Sequence, residues 1–506
     1  MTVETELKLR ITPEQLARLR RHALLKAHSV TRPVTRRLYN IYFDTPKLEL
    51  HQSGMALRLR RVGQQWLQTL KGGGSVQAGL HQRNEWEVPV NGPALDFSAL
   101  QTVAWDRHLP VSLRKKLQPV FVTDFARSSR MLNFQGAHIE LCMDHGEIST
   151  EHHSMPICEL ELELKSGESR QLFELALAIL EIVSFELEAV SKAEQGYRLL
   201  SGDSGHPVRG VTLPLASKTA LDDMLKTLIW SCLQHFQSNL SGAMGRDDAE
   251  YLHQMRVALR RLRVVLRMAE DVHNDQHLVE LGKDFSALCV TLGHIREWDV
   301  FIAQTVQPMC GSMPGNDGLQ VLRAVCERRR AACYAALRST AQARELQRLL
   351  LRFAIWMSGT TYWQQAGWQQ QAQDFTARRL SKLIKRFAPY GPQPDTFDAV
   401  QLHALRIRAK KLRYSAEFFM SLYDKHKAKS FLAALSNVQD ALGQINDIAV
   451  AHRLLEELAA DAAIAGHREA IALAQGWIAH DLSGQLATLR KAMQNFNKQP
   501  AFWKNN

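Results

Sequence analysis

The sequence predicts an α+β protein in which a module of antiparallel β-strands is followed by an all-α module. Residues 1–200 alternate polar and apolar side chains with a period of two, which is typical of strands with one buried face. After residue 214 the apolar residues recur every three or four positions, which predicts helices. A stretch rich in Gly, Ser and Pro, SGDSGHPVRGVTLP, separates the two patterns. We therefore predict a strand module at 1–200, a linker at 201–214 and a helical module at 215–506.

Composition and cysteine content exclude several classes of protein. Of the 506 residues, 45% are apolar and 23% are charged, as in a globular protein with a real core. No apolar run approaches the ~20 residues of a membrane-spanning helix, and the start, MTVETELKLR, lacks the apolar stretch of a secretory signal. The seven cysteines include no CxxC pair, which argues against a disulfide framework and a structural zinc site. We expect a cytoplasmic protein with no membrane partner.

Positive charge is concentrated in the predicted helical module. Residues 1–200 carry a net charge of +2, and residues 201–506 carry the remaining +10 of the total of +12. A region with such an excess of one sign attracts ligands of the opposite sign. We therefore expect the helical module to have a polyanionic partner.

Several predicted strands devote one face entirely to charged residues. These residues alternate with apolar ones in VETELKL, ALRLRRV, WLQTLKG, HQRNEWEV and CELELELKSG: Glu4, Glu6, Lys8, Arg58, Arg60, Lys71, Arg83, Glu85, Glu87, Glu159, Glu161 and Glu163. A solvated face would explain one such strand, but exposed strand faces usually mix Ser and Thr with Lys and Glu. The whole set indicates a sheet that closes with its charged faces inward, under two helices predicted near 13–28 and 170–187. Such a polar tunnel requires a highly charged ligand, because buried charges without partners are very unfavourable.

The residue types of this face narrow the chemistry of the ligand. Two carboxylate clusters, one on the first strand and one at 159–163, are hard oxygen ligands suited to Mg²⁺ or Mn²⁺ rather than Zn²⁺. Arginines at alternate strand positions present forked donors that match phosphate oxygens. A divalent metal and several arginines in one cavity indicate phosphoryl chemistry or phosphate storage.

Seven motifs in order along residues 1–200 resemble the CYTH superfamily of triphosphate tunnel enzymes: ETELK, ALRLR, TLKGG, GLHQRNEWEV, DFARSSR, PICELELELKSG and SKAEQGY. The resemblance implies an eight-stranded antiparallel tunnel that binds a triphosphate group with a divalent metal. It implies that the metal is held by Glu4, Glu6, Glu159, Glu161 and Glu163. It assigns the phosphates to bases that act in catalysis, Lys8, Arg58, Arg60 and Lys71, and to bases that bind substrate, Arg83, Arg127 and Lys192. Asp144 is a further candidate for the acidic side.

The reactions of this superfamily leave the substrate open. Its members hydrolyse inorganic triphosphate or thiamine triphosphate, cap RNA or cyclise ATP. The sequence shows no signature of a base-binding pocket beside the tunnel. With a basic helical module appended, the arrangement most resembles bacterial inorganic triphosphatases.

The helical module contains an internal repeat. HQMRVALRRLR (253–263) aligns with HALRIRAKKLR (403–413) at an offset of 150 residues, and LGHIREWDV (292–300) aligns with LGQINDIAV (442–450) at the same offset. Two independent blocks with one offset indicate duplication of a helical unit. We predict two bundles of about four helices each.

A row of basic residues lies beside the apolar seam in each copy. In the first copy the row consists of His253, Arg256, Arg260, Arg263 and Arg267. The second copy keeps a basic residue at three of the four arginine positions, with Glu417 in place of Arg267. A further helix at 377–388 places Arg378, Lys382 and Lys385 on one face. A solvated face would explain a single row, whereas rows that face each other across two bundles predict a basic groove or pore.

These blocks resemble the CHAD family, an α-helical domain often found behind a CYTH domain, over about residues 215–500. The family implies two pseudosymmetric four-helix bundles whose basic central cavity binds inorganic polyphosphate. The resemblance assigns polyphosphate binding to His253, Arg256, Arg260, Arg263, Arg378, Lys382, His403, Arg406, Lys410 and Arg413.

We interpret the chain as a metal-dependent inorganic triphosphatase joined to a non-catalytic module that binds polyphosphate, with polyphosphate granules as one cytoplasmic location. One alternative is a binding protein without turnover, which the Glu-x-Glu pairs disfavour because a pure polyanion binder gains nothing from acids that face its ligand. A thiamine triphosphatase or a nucleotide-using CYTH enzyme is another. Nucleic-acid binding is disfavoured, because no motif for base readout or base stacking accompanies the basic rows.

Overall fold

The computed structural model describes residues 2–98, 109–202, 205–216, 218–359, 361–388 and 397–504. The chain divides into two compact units. Unit 1 comprises Met1–His206 and Thr340–Gly359, and unit 2 comprises Pro207–Ser339 and Thr360–Asn506. Residues 203 and 204 of the predicted linker lie outside the described residues.

Unit 1 is built around a closed antiparallel barrel. Its strands are β1 Thr2–Arg10, β2 Val34–Asp44, β3 Met55–Val62, β4 Gln65–Gln77, β5 Leu80–Val90, β6 Gln118–Phe134, β7 Ala137–Ser149 and β8 Ser154–Ser166. They follow the order β5-β4-β3-β2-β6-β7-β8-β1, and pairing of β1 with β5 closes the ring. A two-residue strand, β9 Glu186–Leu187, pairs with Leu9 and Arg10 of β1, beyond the last pairing of β1 with β5 at Leu7. The fold class predicted from the sequence is confirmed.

Helices cover the barrel. They are α1 Pro13–Arg21, α2 Ala23–His28, α3 Glu49–Gln52, α4 Val111–Arg114, α5 Ser169–Leu180 and α6 Lys192–Ser201. The helices predicted near 13–28 and 170–187 are present as α1 with α2 and as α5, which ends earlier because the chain turns back to form β9. The apolar alternate residues of β1 and β8, such as Leu7 and Leu162, are fully buried, and α5 packs on both strands. The period of two thus separates an apolar outer face from a charged inner face.

Helix α6 lies close against the strands. It begins after Ser191, whose hydroxyl accepts a hydrogen bond from the Glu194 N–H, a standard N-cap. A Cβ atom on Gly196 would lie 2.2 Å from the Phe121 ring, so only glycine allows this approach. Phe121 stacks on Tyr42 with ring centroids 4.5 Å apart and meets Tyr197 edge to face. This contact fixes the helix whose first residue is Lys192.

A helix from the C-terminal half of the chain belongs to unit 1. Helix α12, Thr340–Ser358, packs along α5, although the sequence analysis placed it in the helical module. Two arginines of α12 reach Glu181, just beyond α5, and the Arg348 guanidinium lies 2.9 Å from that carboxylate. Among its apolar residues, Leu346, Leu350 and Phe353 are buried.

Unit 2 consists of helices. They are α7 Leu221–Gly245, α8 Ala249–Val272, α9 Gln276–Phe301, α10 Gln307–Ser312, α11 Asp317–Leu337, α13 Ala372–Phe387, α14 Ala399–Phe419, α15 Lys425–Ala459 and α16 Arg468–Asn497. A π-helical turn, Ile302–Val306, joins α9 to α10, and short 3₁₀ turns follow α14 and α15. The helices α13 to α16 start 149 to 151 residues after α7, α8, α9 and α11 respectively, which agrees with the repeat offset in the sequence.

The two copies share buried surface. Helix α9 packs on α15, α11 packs on α16, and α8 packs on α14. One apolar cluster includes Trp298, Phe301, Leu322, Leu454 and Ile471, from four helices of both copies. All seven cysteines are free thiols. In the part of the chain that the structure describes, every helix is too short or too polar to cross a membrane.

Candidate functional site

The strand register places the predicted charged residues on one face. Glu4 lies opposite Arg83, Glu6 opposite Glu163, and Lys8 opposite Glu161. Side chains also meet across intervening strands: Lys71 of β4 contacts Glu4 of β1, and Arg127 of β6 contacts Glu161 of β8. Such contacts require a concave face, so these residues line the barrel interior, which we call the tunnel.

Acids and bases form a continuous network on one side of the tunnel. The Lys192 ammonium, at the start of α6, lies 2.8 Å from Asp144, 2.8 Å from Glu159 and 2.9 Å from Glu161. The Lys8 ammonium contacts Glu161 and lies 2.9 Å from Glu6. All these groups except Glu6 have less than a tenth of their side chain exposed. Glu161 therefore joins three bases, because Arg127 contacts it as well.

Burial and charge act in opposite directions on these groups. Burial alone lowers the pKa of Lys8, but Glu161 and Glu6 outweigh it and raise that pKa above its usual value. Burial likewise raises the pKa of Glu161, but Lys192, Lys8 and Arg127 together hold that pKa well below its usual value. Both groups are thus charged at neutral pH, and each stabilises the other.

The opposite side of the tunnel, on β2 and β3, carries arginines with fewer acids. The Arg60 Nε–H donates to the Asn40 side-chain oxygen at 2.8 Å, and the Asn40 amide donates to the Thr123 hydroxyl at 2.8 Å. Burial, followed by Arg58 and Arg127, lowers the pKa of Arg60 to about 10. The Nε and Nη2 atoms of Arg58 are buried and have no hydrogen-bond partner, although Nη2 lies 3.5 Å from Glu85. The guanidinium also shares a hydrogen bond with Tyr42, so Nε and Nη2 are the donors that remain without a partner.

Sequence reasoning missed two polar residues of this side. Asn40 and Tyr42 are buried on β2, with Tyr42 opposite Arg58 in register. Burial raises the pKa of Tyr42, but Arg58, Arg60 and Lys192 outweigh it and lower that pKa. The alternation of RRLYNIYFD with a period of two was the available signal. Asp144, a minor candidate in the sequence analysis, is fully buried between Arg127 and Lys192.

The predicted metal ligands have the right donor chemistry for a hard divalent ion. Glu6 and Glu163 face each other in register, and like charges so placed repel. Burial raises the pKa of Glu163, with smaller contributions from Glu4 and Glu140, although Lys165 opposes the shift. A divalent cation bound to carboxylate oxygens would relieve this repulsion. Over the described residues, no three His, Cys, Asp or Glu side chains already form a metal-holding group. Each of the five predicted metal ligands is paired with a base, and Glu163 is paired with Lys165 at 2.5 Å.

In unit 2 the two basic rows meet where α8 packs on α14. Arg256, Arg260, Arg406 and Lys410, which we call the basic cluster, are partly buried. The three arginines, after burial itself, lower the pKa of Lys410 to about 6. The Nε atoms of Arg260 and Arg406 are buried without a hydrogen-bond partner. Four bases held this close favour an anionic ligand between them.

Acids at equivalent positions of the two copies flank the basic cluster. The pKa of Arg406 is lowered, chiefly by burial. Glu297 and Asp447, which are 150 residues apart, both act to raise that pKa and offset part of the effect. Burial raises the pKa of Asp447 despite the opposing effect of Arg406. Glu297 also lies 2.6 Å from Arg453. These two acids offset only part of the positive charge.

The six other residues predicted to bind polyphosphate are not part of the basic cluster. His253 is partly buried, and burial, followed by Arg296, lowers its pKa to about 4, so its imidazole is neutral. Its counterpart His403 is exposed, as are Arg263, Arg378 and Lys382. The Arg413 guanidinium donates hydrogen bonds to the side chains of Glu417 and Gln439, at 2.6 and 3.0 Å. The structure thus brings four of the ten predicted residues into the basic cluster.

Two basic residues missed by the sequence analysis, Arg379 and Arg386, lie near Lys411. Burial, followed by Arg263, Arg267, Arg379 and Arg386, lowers the pKa of Lys411. Arg379 and Arg386 belong to α13, so this helix turns toward α14 a different face from the one that carries Arg378 and Lys382. The signal was present, because α13 carries basic residues on both faces.

An antiparallel barrel lined by acids and bases, followed by a duplicated helical region with facing basic rows, defines a two-domain CYTH–CHAD protein. Residues 2–197 match the family model of the CYTH domain, and residues 227–456 match that of the CHAD domain. The chain contains both domains, and the resemblance found in the sequence is confirmed.

The chain is similar to several known proteins. Over 204 residues the chain is 35% identical to the inorganic triphosphatase of Haemophilus influenzae, a match that covers 39% of this chain. It spans about half, 55%, of that relative's length. The CHAD domain of the plant Ricinus communis is 32% identical over 57% of this chain and 96% of its own, with a TM-score of 0.49. A putative adenylyl cyclase from Hippeastrum, described as having a dominant triphosphatase activity, is 19% identical over 39% of this chain and 96% of its own, with a TM-score of 0.30.

Proposed function

We propose that the tunnel hydrolyses inorganic triphosphate to pyrophosphate and phosphate with a bound divalent metal, Mg²⁺ or Mn²⁺. The observation that carries this proposal is the Arg58 guanidinium, buried in the tunnel with two donor atoms that have no hydrogen-bond partner. A buried donor without a partner costs about 1–3 kcal/mol. Phosphate oxygens are the acceptors that a guanidinium fork matches. The 35% identity to the Haemophilus inorganic triphosphatase supports inorganic triphosphate as the substrate.

We assign the roles of the tunnel bases as the resemblance to the CYTH family implies. Lys8, Arg58, Arg60 and Lys71 neutralise charge that develops on the transferring and leaving groups, a form of transition-state stabilisation that buried charges perform well. Arg83, Arg127 and Lys192 bind the phosphates that are not transferred. Asp144 holds Arg127 and Lys192 in place.

The carboxylates Glu4, Glu6, Glu159, Glu161 and Glu163 are the residues that would hold the metal. When bound, a divalent ion polarises phosphoryl oxygens and orients the substrate. In the structure Lys8 and Lys71 occupy the oxygens of Glu6 and Glu4. These lysines must therefore exchange carboxylate partners for phosphate partners when substrate enters.

A direct comparison of substrates tests this proposal. Phosphate release is measured from triphosphate, ATP, thiamine triphosphate and long-chain polyphosphate, each with Mg²⁺, with Mn²⁺ and with EDTA. We expect triphosphate to be hydrolysed fastest and EDTA to abolish the reaction. Preference for ATP or thiamine triphosphate would identify a different CYTH activity. No turnover of any substrate would favour the alternative of a binding protein.

We also propose that the basic cluster of unit 2 binds inorganic polyphosphate. The unpartnered Nε atoms of Arg260 and Arg406 and the mutual repulsion around Lys410 support this assignment. A polyanion supplies closely spaced charge at several points, as four bases on two helices require. Binding of fluorescent long-chain polyphosphate by the full-length protein, at several salt concentrations, tests it. A steep fall of affinity with salt is expected, because neutralised phosphates release condensed counterions, as they do on nucleic acids.

A further inference from the structure

Helix α12 contacts unit 1 at the segment that leads into Lys192. The Leu187 N–H of β9 donates a hydrogen bond of 3.0 Å to the side-chain oxygen of Gln347. Gln347 is only 2% exposed and Leu187 is half-buried, so this bond is partly shielded from water. It joins the short strand β9 to a residue 160 positions further along the chain.

The position of this bond follows from the pairing of β9. On its inner side β9 pairs with β1, and the Glu188 N–H donates to the Lys8 carbonyl at 2.8 Å. Because successive N–H groups of a strand point to opposite sides, the Leu187 N–H points away from β1. A buried N–H at a strand edge requires an acceptor. Gln347 supplies the acceptor that a neighbouring strand would otherwise supply.

The segment from Leu187 to Lys192 determines the position at which α6 begins. The Glu188 carbonyl lies 3.0 Å from the His81 imidazole, and the Glu188 carboxylate accepts from the Val190 N–H at 2.8 Å. Ser191 then caps α6, and Lys192 extends into the tunnel to its three carboxylate partners. Nearly every residue from Leu187 to Lys192 therefore makes a hydrogen bond or an ion pair. The bond from Gln347 is made to the first residue of this segment, Leu187.

We propose that Gln347 is a positioning residue of the tunnel, which acts through the Leu187–Lys192 segment to set the place of the Lys192 ammonium. The inference rests on the proposed function, in which Lys192 binds phosphate. It makes a helix from the C-terminal half of the chain a working part of the triphosphate site. Loss of this bond lets the segment shift, so that Lys192 meets phosphate less often while the residues on β1 and β3 stay in place.

The test compares two neighbouring substitutions of α12 in the full chain. Gln347→Met keeps the length of the side chain but has no acceptor for the Leu187 N–H. Arg348→Met is the matched control, since it removes the contact with Glu181 on the same helix and leaves β9 untouched. Hydrogen exchange of residues 186–192, the KM and kcat for triphosphate, and the Kd for triphosphate are measured for both variants. Circular dichroism confirms that each variant is folded.

We expect Gln347→Met to speed exchange in residues 186–192 and to raise KM roughly threefold to tenfold, the effect of one hydrogen bond, with kcat within about twofold. Arg348→Met should leave exchange in this segment and KM unchanged. Faster exchange with unchanged KM and Kd would give Gln347 a purely structural role and overturn the proposal, as would unchanged exchange. If the parent protein binds triphosphate without hydrolysing it, the proposed activity fails, and the Kd comparison still decides the role of Gln347. If Gln347→Met does not fold, Gln347→Asn, whose shorter side chain withdraws the acceptor from the Leu187 N–H, takes its place with the same expected changes, and an unchanged KM and Kd with faster exchange would again overturn the proposal.

Discussion

Arg127 on β6 and Asp144 on β7 lie opposite each other in register, and the guanidinium donates hydrogen bonds of 2.8 and 2.6 Å to the carboxylate. Burial raises the pKa of Asp144, but Arg127 and Lys192 outweigh it and keep that pKa below its usual value. Asp144 is therefore an anion buried between two cations. This fixes the positions of Arg127 and Lys192 before substrate arrives. The three donors of the Lys192 ammonium face carboxylates, so Lys192, like Lys8 and Lys71, must exchange a carboxylate partner to bind phosphate.

The acids of β1 provide the first prediction. Glu4→Gln combined with Glu6→Gln should abolish metal-dependent release of phosphate from triphosphate, because two proposed metal ligands lose their charge. The fold should survive, since the variant relieves the repulsion between Glu6 and Glu163, and Lys8 keeps Glu161. Malachite-green detection of phosphate and circular dichroism check both points. Glu151→Gln, on a carboxylate that is 88% exposed, is the control. Full turnover in the folded double variant would locate the metal elsewhere.

The second prediction concerns Arg58. Arg58→Gln should lower kcat/KM for triphosphate. The expected loss corresponds to about 2–4 kcal/mol of transition-state stabilisation, which is usual when a shielded site loses one donor. The control is Arg37→Gln, which removes a guanidinium that is 78% exposed and paired with Asp124 on the outside of the barrel. Its kcat/KM should match the parent's. Equal effects of the two variants would mean that charge alone, rather than the unpartnered donors of Arg58, determines activity.

The third prediction concerns the basic cluster. Replacement of Arg256, Arg260, Arg406 and Lys410 by Gln should weaken polyphosphate binding and flatten its dependence on salt, while hydrolysis of triphosphate stays nearly unchanged. Gln preserves helix propensity, so the helices should persist. The control changes the same number of basic residues at exposed positions, Arg263, Arg378, Lys382 and Lys385, to Gln. If both sets reduce the affinity equally, the ligand follows the outer basic faces rather than the basic cluster.

The fourth prediction follows from the neutral amine of Lys410. Its neighbours are Arg256 and Arg260 from α8, Arg406 from its own helix and Asp447 from α15. With a pKa of about 6 in the native state and 10.5 ordinarily, Lys410 is neutral when folded and charged when unfolded between these values. Unfolding then takes up a proton, so the contribution of Lys410 to the free energy of unfolding rises with pH across this window.

Bound polyphosphate should raise the pKa of Lys410, because an anion stabilises the charged amine. Binding should therefore take up a proton above pH 6, and polyphosphate affinity should fall as the pH rises from 6 to 9, by at most about tenfold per pH unit for one proton. Lys410→Arg, which stays charged throughout, should remove this dependence, and Lys382→Arg should not. Calorimetry in two buffers of different ionisation enthalpy counts the proton. Equal heats in both buffers for the parent protein would contradict the prediction.

The barrel could be predicted from the sequence because strand periodicity is a local property. Alternation in VETELKL and CELELELKSG already assigns each residue to a face, and the register later pairs Lys8 with Glu161. Asn40 and Tyr42 escaped notice because their strand mixes apolar and basic residues, and only closure of the barrel distinguishes the inner set. Arg378 and Arg379 are adjacent in the sequence but lie on different faces of α13. Only the packing of the helices determines which of these faces meets α14.

Helix α12 illustrates a limit of a different kind. Its pattern of apolar residues predicts an amphipathic helix correctly, but the pattern does not reveal which surface it covers. The apolar face of α5 and the edge of β9 both lie about 160 residues away in sequence. Sequence separation of this size carries no local signal, so the helix was assigned to the module that surrounds it in the chain.

The membership of α12 in unit 1 has a consequence for synthesis of the protein. Ribosomes produce roughly 5–20 residues per second, and unit 1 receives its last segment 153 residues after His206, at Gly359. The barrel therefore waits roughly 8–30 seconds, at that rate of elongation, with α5 uncovered. During this interval the nascent chain presents an apolar helix face to chaperones, and translation that stops before Gly359 yields a barrel without its partner helix.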